Sequence, residues 1–549
     1  MARGLTAPSN LYANPMAPTV SGAGWSSIAT GVWPDKHNVK DNNFTAPNYA
    51  AYPDYATRLE TAAPTASTLV VGTWGPISTT VFGAATDLRI AGAGDADTTA
   101  KAVDYLANGN PDATFVHLDE VDGAGHSGGT NSPAYNRALA VADAQVGRLL
   151  DAVEQRATYA RENWLIVVTA DHGHTPTGGH GGNTPQERET FVIARGAGFT
   201  PGSVRHDVRI VDIAPTVLAH AGVPTDPNRN LDGKAIGAIT PDAFDGLRDT
   251  LRTRLDETRI PADVSGWTNT APTGWSIDNS KMPTGGVTEW RGWSFATDEF
   301  FTRAEAGQGR ETNVRARNVF AVADSDEWDD KAHGAGQFDS TLVSPTYPLR
   351  GATTATLGFA TAYVIDGPQT GDVYVSFDGG TPRLVKSYRA NTNTFERLSV
   401  AVPAGARTAQ VRFHYTGTNS AFWTVDQVSF TADDDRPGVT VTGVTGKASE
   451  LGRPDGKGPR WAFATATITD TAGKPVAGAW ITAEVRSDGH TLRHFGLSRR
   501  DGTVTFGVPV LWSKDAVVKV TNVRHLELPY YDDLSGPREI SLTRPAAAS

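Results

Sequence analysis

Between residues 68 and 196, apolar runs recur with helix-forming stretches between them. TLVVGTW (68–74), ATFVHLDE (113–120), NWLIVVTAD (163–171) and ETFVIARG (189–196) read as buried strands. Strands that are apolar over most of their length belong to a sheet covered on both faces, as in parallel α/β folds. SPAYNRALAVADAQVGRLLDAVEQR supplies one such cover. Ala138, Val146, Leu149, Leu150 and Val153 share one helical face, Ser132 suits the cap and Pro133 the first turn. DVRIVDIAPTVLAHAGVP (207–224) reads as a short strand, then a helix starting near Pro215. The expectation for residues 1–240 is an α/β domain with a mixed or parallel sheet and helices on both faces.

From about residue 260 the texture changes to Gly, Thr and aromatics. GGVTEWRGWSF, DVYVSFDGG and AQVRFHYTG are short strand-like stretches broken by turn residues. That pattern predicts antiparallel sheets, here a jelly-roll-like β-sandwich over 260–432. TADDDRPG (431–438) reads as a linker. A second sandwich, of immunoglobulin-like size, is expected over 438–549, with turns at DTAGKPVAG and RRDGTV.

Composition excludes several functions. The net charge is −11 with no basic block, which disfavours a nucleic-acid duplex as partner. With 0 cysteines, disulfides, thiolate nucleophiles and thiolate metal sites are ruled out. No apolar run reaches the roughly 18 residues of a membrane span. MARGLTAPSNLYANP lacks the apolar segment of a signal peptide.

Three stretches carry chemistry. DGAGH places Asp122 and His126 four residues apart, just past a strand end, with glycines that let a loop fold round an ion. ADHGHTPTGGH places Asp171 and His172 at the tip of a buried strand and His180 eight residues beyond His172. An Asp–His pair there is costly unless its charge is compensated, and carboxylate plus imidazole suits Zn2+ or Mn2+. His174 reads as an outer or solvated residue. In the third stretch, Ser21-Gly22-Ala23-Gly24 opens an apolar helical run. A serine there lies beside free N–H groups and the positive dipole end, where a phosphoryl group is stabilised. Ser26 and Ser27 lie inside the run and read as structural.

These stretches resemble the alkaline phosphatase superfamily, nearest its type I phosphodiesterase/nucleotide pyrophosphatase branch. Thr30-Gly31-Val32-Trp33-Pro34-Asp35-Lys36-His37, followed by Asp41-Asn42, is similar to the branch's segment after its nucleophile. Asp122/His126, Asp171-His172-Gly173, His180 and DIAPTVLAHAGVP follow in family order. The resemblance covers roughly residues 10–235. It implies a metal-dependent phosphodiesterase or phosphatase acting on a small phosphate ester. Ser21 would be the nucleophile, and Asn42 with the Gly22 amide would hold the phosphoryl oxygens. Asp122, His126 and His180 would hold one divalent ion; Asp171, His172 and the Ser21 oxygen would hold the other. The ions expected are Zn2+, with Mn2+ or Mg2+ as alternatives.

The family also carries an Asp ligand at the end of a first strand upstream of the nucleophile. This chain has no Asp or Glu before Asp35 and no strand-like run there. The expectation is a domain lacking its first strand, with the second ion held poorly and upstream sequence supplying an apolar strand, the Asp and a signal peptide. Other readings remain. A sulfatase shares the fold but needs Pro and Arg after its nucleophile, absent from Ser21-Gly-Ala-Gly-Trp. A phosphotransferase or mutase uses similar ligands. A catalytically impaired surface protein could bind extracellular or cell-wall glycans through Trp267, Trp275, Trp290, Trp293, Trp328 and Trp423, although core packing is the commoner use of Trp. The acidic run Asp324–Asp330 reads as a solvated loop, with calcium binding as the alternative. Attached β modules favour an extracellular or wall-associated home.

Overall fold

The computed structural model describes residues 5–10 and 16–542, apart from 197, 226–228, 350–351, 434–437, 450–459, 472, 488, 511–515, 527, 529 and 531–534. The chain divides into two compact units, Met1–Thr431 and Ala432–Ser549.

The first unit begins with α/β structure. Its strands are β1 (Leu5–Asn10), β2 (Thr68–Gly72), β3 (Leu88–Ala91), β4 (Ala113–His117), β5 (Ile166–Thr169) and β6 (Glu189–Arg195). Its helices are α1 (Ser21–Thr30), α2 (Pro34–His37), α3 (Tyr55–Ala62), α4 (Asp95–Asn108), α5 (Glu120–Gly128), α6 (Pro133–Glu154), α7 (Pro185–Arg188) and α8 (Ile213–His220). The parallel sheet expected from the apolar runs is realised as β3-β2-β4, with every residue of β2 buried. β5 and β6 instead form an antiparallel sheet, in the order β1-β6-β5. The connection from β5 to β6 holds only the four-residue α7. It turns the chain back rather than crossing over a helix, so the pair runs antiparallel.

Two expectations need correction here. A strand does precede Ser21: β1 pairs along β6 from Leu5↔Ala194 to Asn10↔Glu189. Its sequence, LTAPSN, has no apolar pattern, and Pro8 is tolerated because β1 is an edge strand. Conversely, no strand forms at 207–212. Ile210–Asp212 is a single 3₁₀ turn running straight into α8, which begins at Ile213 rather than near Pro215. As expected, Ser132 caps α6, its hydroxyl accepting the Tyr135 N–H at 3.1 Å.

Residues 252–431 of the same unit form two antiparallel sheets of seven and five strands. Strand Thr408–Gly417 alternates strictly between buried and half-buried, as a strand with one face in a core must. Trp267, Trp290, Trp293 and Trp423 are fully buried, Trp328 nearly so, and Trp275 keeps 9% exposure. All six belong to the shared core, so none presents its ring as a glycan platform.

The two parts of this unit are joined by buried charge. Arg317 donates to both carboxylate oxygens of Asp212, at 2.7 and 2.8 Å, and to the Asp207 carbonyl at 2.6 Å. Arg315 bridges Asp232 and Asp35. Val314 lies in the hydrophobic core of the α/β part. Removing one member of a buried pair leaves its partner's charge uncompensated and costs about 3–5 kcal/mol. Arg317→Ala is therefore expected to lower the urea midpoint of this unit substantially. An unchanged midpoint would refute the clamp.

His37 is fully buried at the end of α2. Its Nδ1 accepts the Val39 N–H at 3.1 Å, so Nε2 carries the proton and donates to the Ser27 hydroxyl at 3.0 Å. Burial pushes its pKa down to about 3. The unfolded chain takes up this proton near pH 6.5, the folded chain only near pH 3. The unfolded state thus binds more protons across that window, and stability is lost as pH falls through it, by up to about 5 kcal/mol. Urea midpoints at pH 7 and 4.5 should differ less in His37→Gln than in the unsubstituted chain.

The second unit has antiparallel sheets of three and four strands around a core that includes Val441, Ala464, Ile481 and Val518. Residues 434–437 of the expected linker lie outside the described residues.

Candidate functional site

The site forms where α1, α5 and the loop after β5 converge. Helix α1 starts at Ser21, and every later residue of it is buried. Its first turn packs against the end of β5. A Cβ on Gly24 would lie 2.7 Å from both the Asp171 Cβ and its carbonyl oxygen, so only glycine permits this approach. Ser26 and Ser27 turn their hydroxyls back onto the Gly22 and Ala23 carbonyls, the structural role expected of them.

DGAGH is not a loop. It lies within α5, where the i,i+4 spacing sets Asp122 and His126 on one face. The helix has no side-chain cap of its own. Asp95, fully buried, accepts the Asp119 and Glu120 N–H groups at 2.7 and 2.9 Å and caps it from a distance. No local sequence signal links Asp95 to α5, so this positioning residue escaped sequence reading.

Ser21, Asp122, His126, Asp171, His172 and His180 lie near one another, but His172 groups with Asp122 and His180 rather than apart from them. The Ser21 hydroxyl lies 3.3 Å from His172 Nε2, which in turn is 3.3 Å from Asp171 Oδ2. His126 Nε2 lies 3.4 Å from Asp122 Oδ2 and 3.1 Å from His180 Nε2. Asp122, His172, His174 and His180 each offer one donor atom within 4.8 Å of the others. His174, expected outside or solvated, is buried and donates from Nε2 to Asp122 Oδ1 at 2.8 Å. Gly125 makes room for it, since a Cβ there would meet the His174 ring at 2.7 Å.

Backbone carbonyls select the tautomers. His180 Nδ1 lies 2.7 Å from the Thr19 carbonyl and His172 Nδ1 3.1 Å from that of Gly173. Each Nδ1 therefore carries its proton and each Nε2 presents a lone pair. Burial pushes His172 down to about 4 and, with His172 beside it, His180 to about 4. Burial drives the Asp171 carboxyl well above its ordinary range, and its Oδ2 has no hydrogen-bond partner. Burial opposes ionisation of Asp122, yet the His174 hydrogen bond and the surrounding imidazoles hold it below the usual carboxylate range.

Converging imidazole lone pairs and an orphaned carboxylate oxygen are what a bound divalent cation would satisfy, and the N/O donor set fits zinc or manganese. His126 is half exposed, so the cluster opens to solvent. One expectation shifts. The Gly22 N–H is engaged by Asn42 Oδ1 at 2.7 Å, so it is not free to meet a phosphoryl group. Arg188, near the cluster in sequence, gives it no positive charge: it donates to Thr302 and pairs with Asp298.

Residues 64–184 match the family described as type I phosphodiesterase / nucleotide pyrophosphatase. The chain is 29% identical over 123 residues to GPI ethanolamine phosphate transferase 2, catalytic subunit, of Homo sapiens, covering 22% of this chain and 12% of that one. It is 31% identical over 141 residues to phosphopentomutase of Methylorubrum extorquens, covering 26% and 32%. It thus spans under a third of either curated relative. A structure of murine ectonucleotide pyrophosphatase / phosphodiesterase 5 is similar at a TM-score of only 0.33 and 12% identity, over 42% of this chain and 92% of the other. The matched stretch contains Asp122, His126, Asp171, His172 and His180. Over residues 64–184, then, the chain is similar to the type I phosphodiesterase / nucleotide pyrophosphatase family.

Proposed function

We propose that this chain is a metal-dependent phosphoric ester hydrolase, a phosphodiesterase or phosphatase, with Ser21 as nucleophile. The observation that carries the reading is the Ser21 hydroxyl at the mouth of α1, 3.3 Å from His172 Nε2 and beside the Asp–His cluster. Asp122, His126 and His180 would hold one divalent ion; Asp171, His172 and the Ser21 oxygen would hold the other. Such ions lower the pKa of a coordinated hydroxyl and offset charge on the phosphoryl oxygens.

The chain's own residues supply the rest. The N-terminus of α1 faces the reacting phosphorus with its partial positive charge. With its Oδ1 accepting the Gly22 N–H, the Asn42 carboxamide would have Nδ2 left to donate to a phosphoryl oxygen. Ser21 attacks phosphorus, the leaving alcohol departs opposite, and water then cleaves the phosphoserine. An extracellular or wall-associated setting is part of the same proposal, supported by the β-rich remainder of the chain.

Phosphoryl transfer is the second reading. It is favoured by relatives named as a transferase and a mutase, and it uses an alcohol instead of water in the last step. With bis-p-nitrophenyl phosphate, turnover should be lost after EDTA dialysis and return with Zn2+ or Mn2+. Products with an added alcohol acceptor separate hydrolysis from transfer. Absence of turnover with every divalent ion would overturn both.

A further inference from the structure

The antiparallel part of the first unit carries a second cluster of acidic groups. Residues Ser325–Asp329 form one short helix, capped by Asp324, whose carboxylate accepts the Glu327 N–H at 3.2 Å. One carboxylate oxygen from each of Glu305, Glu327 and Asp330 lies within 4.8 Å of the other two. The Glu327 side chain has 0% exposure. Its Oε1 faces Arg310 Nη2 at 2.7 Å, and its carboxyl meets that of Glu257; Oε2 finds no donor other than a proton shared with Glu257. Arg310 is not free to do more, because it also pairs with Asp324 at 3.0 Å.

A buried carboxylate oxygen without a donor is costly, and native folds rarely leave one so. Burial pushes the Glu327 and Glu257 carboxyls upward, against the pull of Arg310 on Glu327 and of the Trp290 N–H on Glu257. A second cation at the cluster is loosely held. Arg259 is about half exposed and reaches Glu305 and Asp330 at 3.2 Å each. A pair of that kind contributes little and can swing aside.

We propose that Glu305, Glu327 and Asp330 form a binding site for a calcium-type divalent cation, completed by water, that ties the 325–329 helix to the chain at Glu305. All three donors are carboxylate oxygens, the set that Ca2+ takes in six- to eight-fold coordination, whereas zinc favours nitrogen or sulfur. The rival account is a proton shared between Glu257 and Glu327, which neutralises the pair with no metal.

Thermal unfolding of the full chain, after EDTA dialysis and along a CaCl2 series, tests this. A saturable rise in Tm of at least about 3 °C is expected, with weak binding of the order of 10⁻⁴ M. Asp330→Asn, at an exposed residue, should raise the half-saturating Ca2+ concentration about tenfold, and Glu327→Gln should abolish the shift. Asp122→Asn, at the other cluster, should retain it. The proposal is overturned if Ca2+ leaves the Tm unchanged and equilibrium dialysis finds no bound ion. It is equally overturned if the shift survives both Asp330→Asn and Glu327→Gln, or vanishes in Asp122→Asn. Should Glu327→Gln fail to fold, the Asp330→Asn titration decides.

Discussion

Ser21→Ala is expected to lower kcat for bis-p-nitrophenyl phosphate by at least about 10³-fold, with KM nearly unchanged. The substitution removes the oxygen proposed to attack phosphorus and nothing else of size. Asp122, His126 and His180 make no contact through the Ser21 hydroxyl, so metal uptake at those residues should survive. The His172 tautomer should survive too, because the Gly173 carbonyl at 3.1 Å sets it. Residual turnover would come from any ion held by the Asp–His cluster and from the α1 N-terminus, acting on water. Ser21→Thr keeps a hydroxyl and should recover measurable activity. Quenching during turnover should trap a phosphorylated peptide containing Ser21. Full activity in Ser21→Ala would show that the nucleophile lies elsewhere.

Gly24→Ala should be nearly as damaging, by a route that touches no reacting atom. The added methyl meets the Asp171 Cβ and carbonyl at 2.7 Å, and neither is the end of a flexible chain. Helix α1 must therefore move away from the end of β5 and carry Ser21 away from His172. Overpacking of this kind costs about 1–3 kcal/mol, and a misplacement of about 1 Å costs roughly 10²-fold in rate. A lower Tm and at least about a 10²-fold loss of kcat/KM are expected together. Gly147→Ala, in α6 with nothing within 4 Å of the added carbon, is the control. It should be neutral or stabilising by up to about 1 kcal/mol. Equal behaviour of the two variants would show that the α1–β5 contact does not position the site.

Much of the candidate site could be read locally. Asp171 and His172 end an apolar run, and Ser21 begins a helical one, so each is announced by its own neighbours. The supports are not local. Asp95 caps α5 from 24 residues away, and His174 reaches 52 residues back to Asp122. Thr19 sets the His180 ring from 161 residues away. No short window contains both members of such a pair.

Taken alone, the sequence determined the change from α/β to antiparallel β texture, the apolar strands and the residue types available for catalysis. These follow from periodicity and local chemistry, which a linear chain displays directly. Only the tertiary structure decided that β5 and β6 run antiparallel, that LTAPSN is a strand, and that six tryptophans lie in a core. It alone also showed that Asn42 occupies the Gly22 amide and that Arg317 clamps Asp212. Those outcomes depend on which backbone edges and buried charges find partners far along the chain.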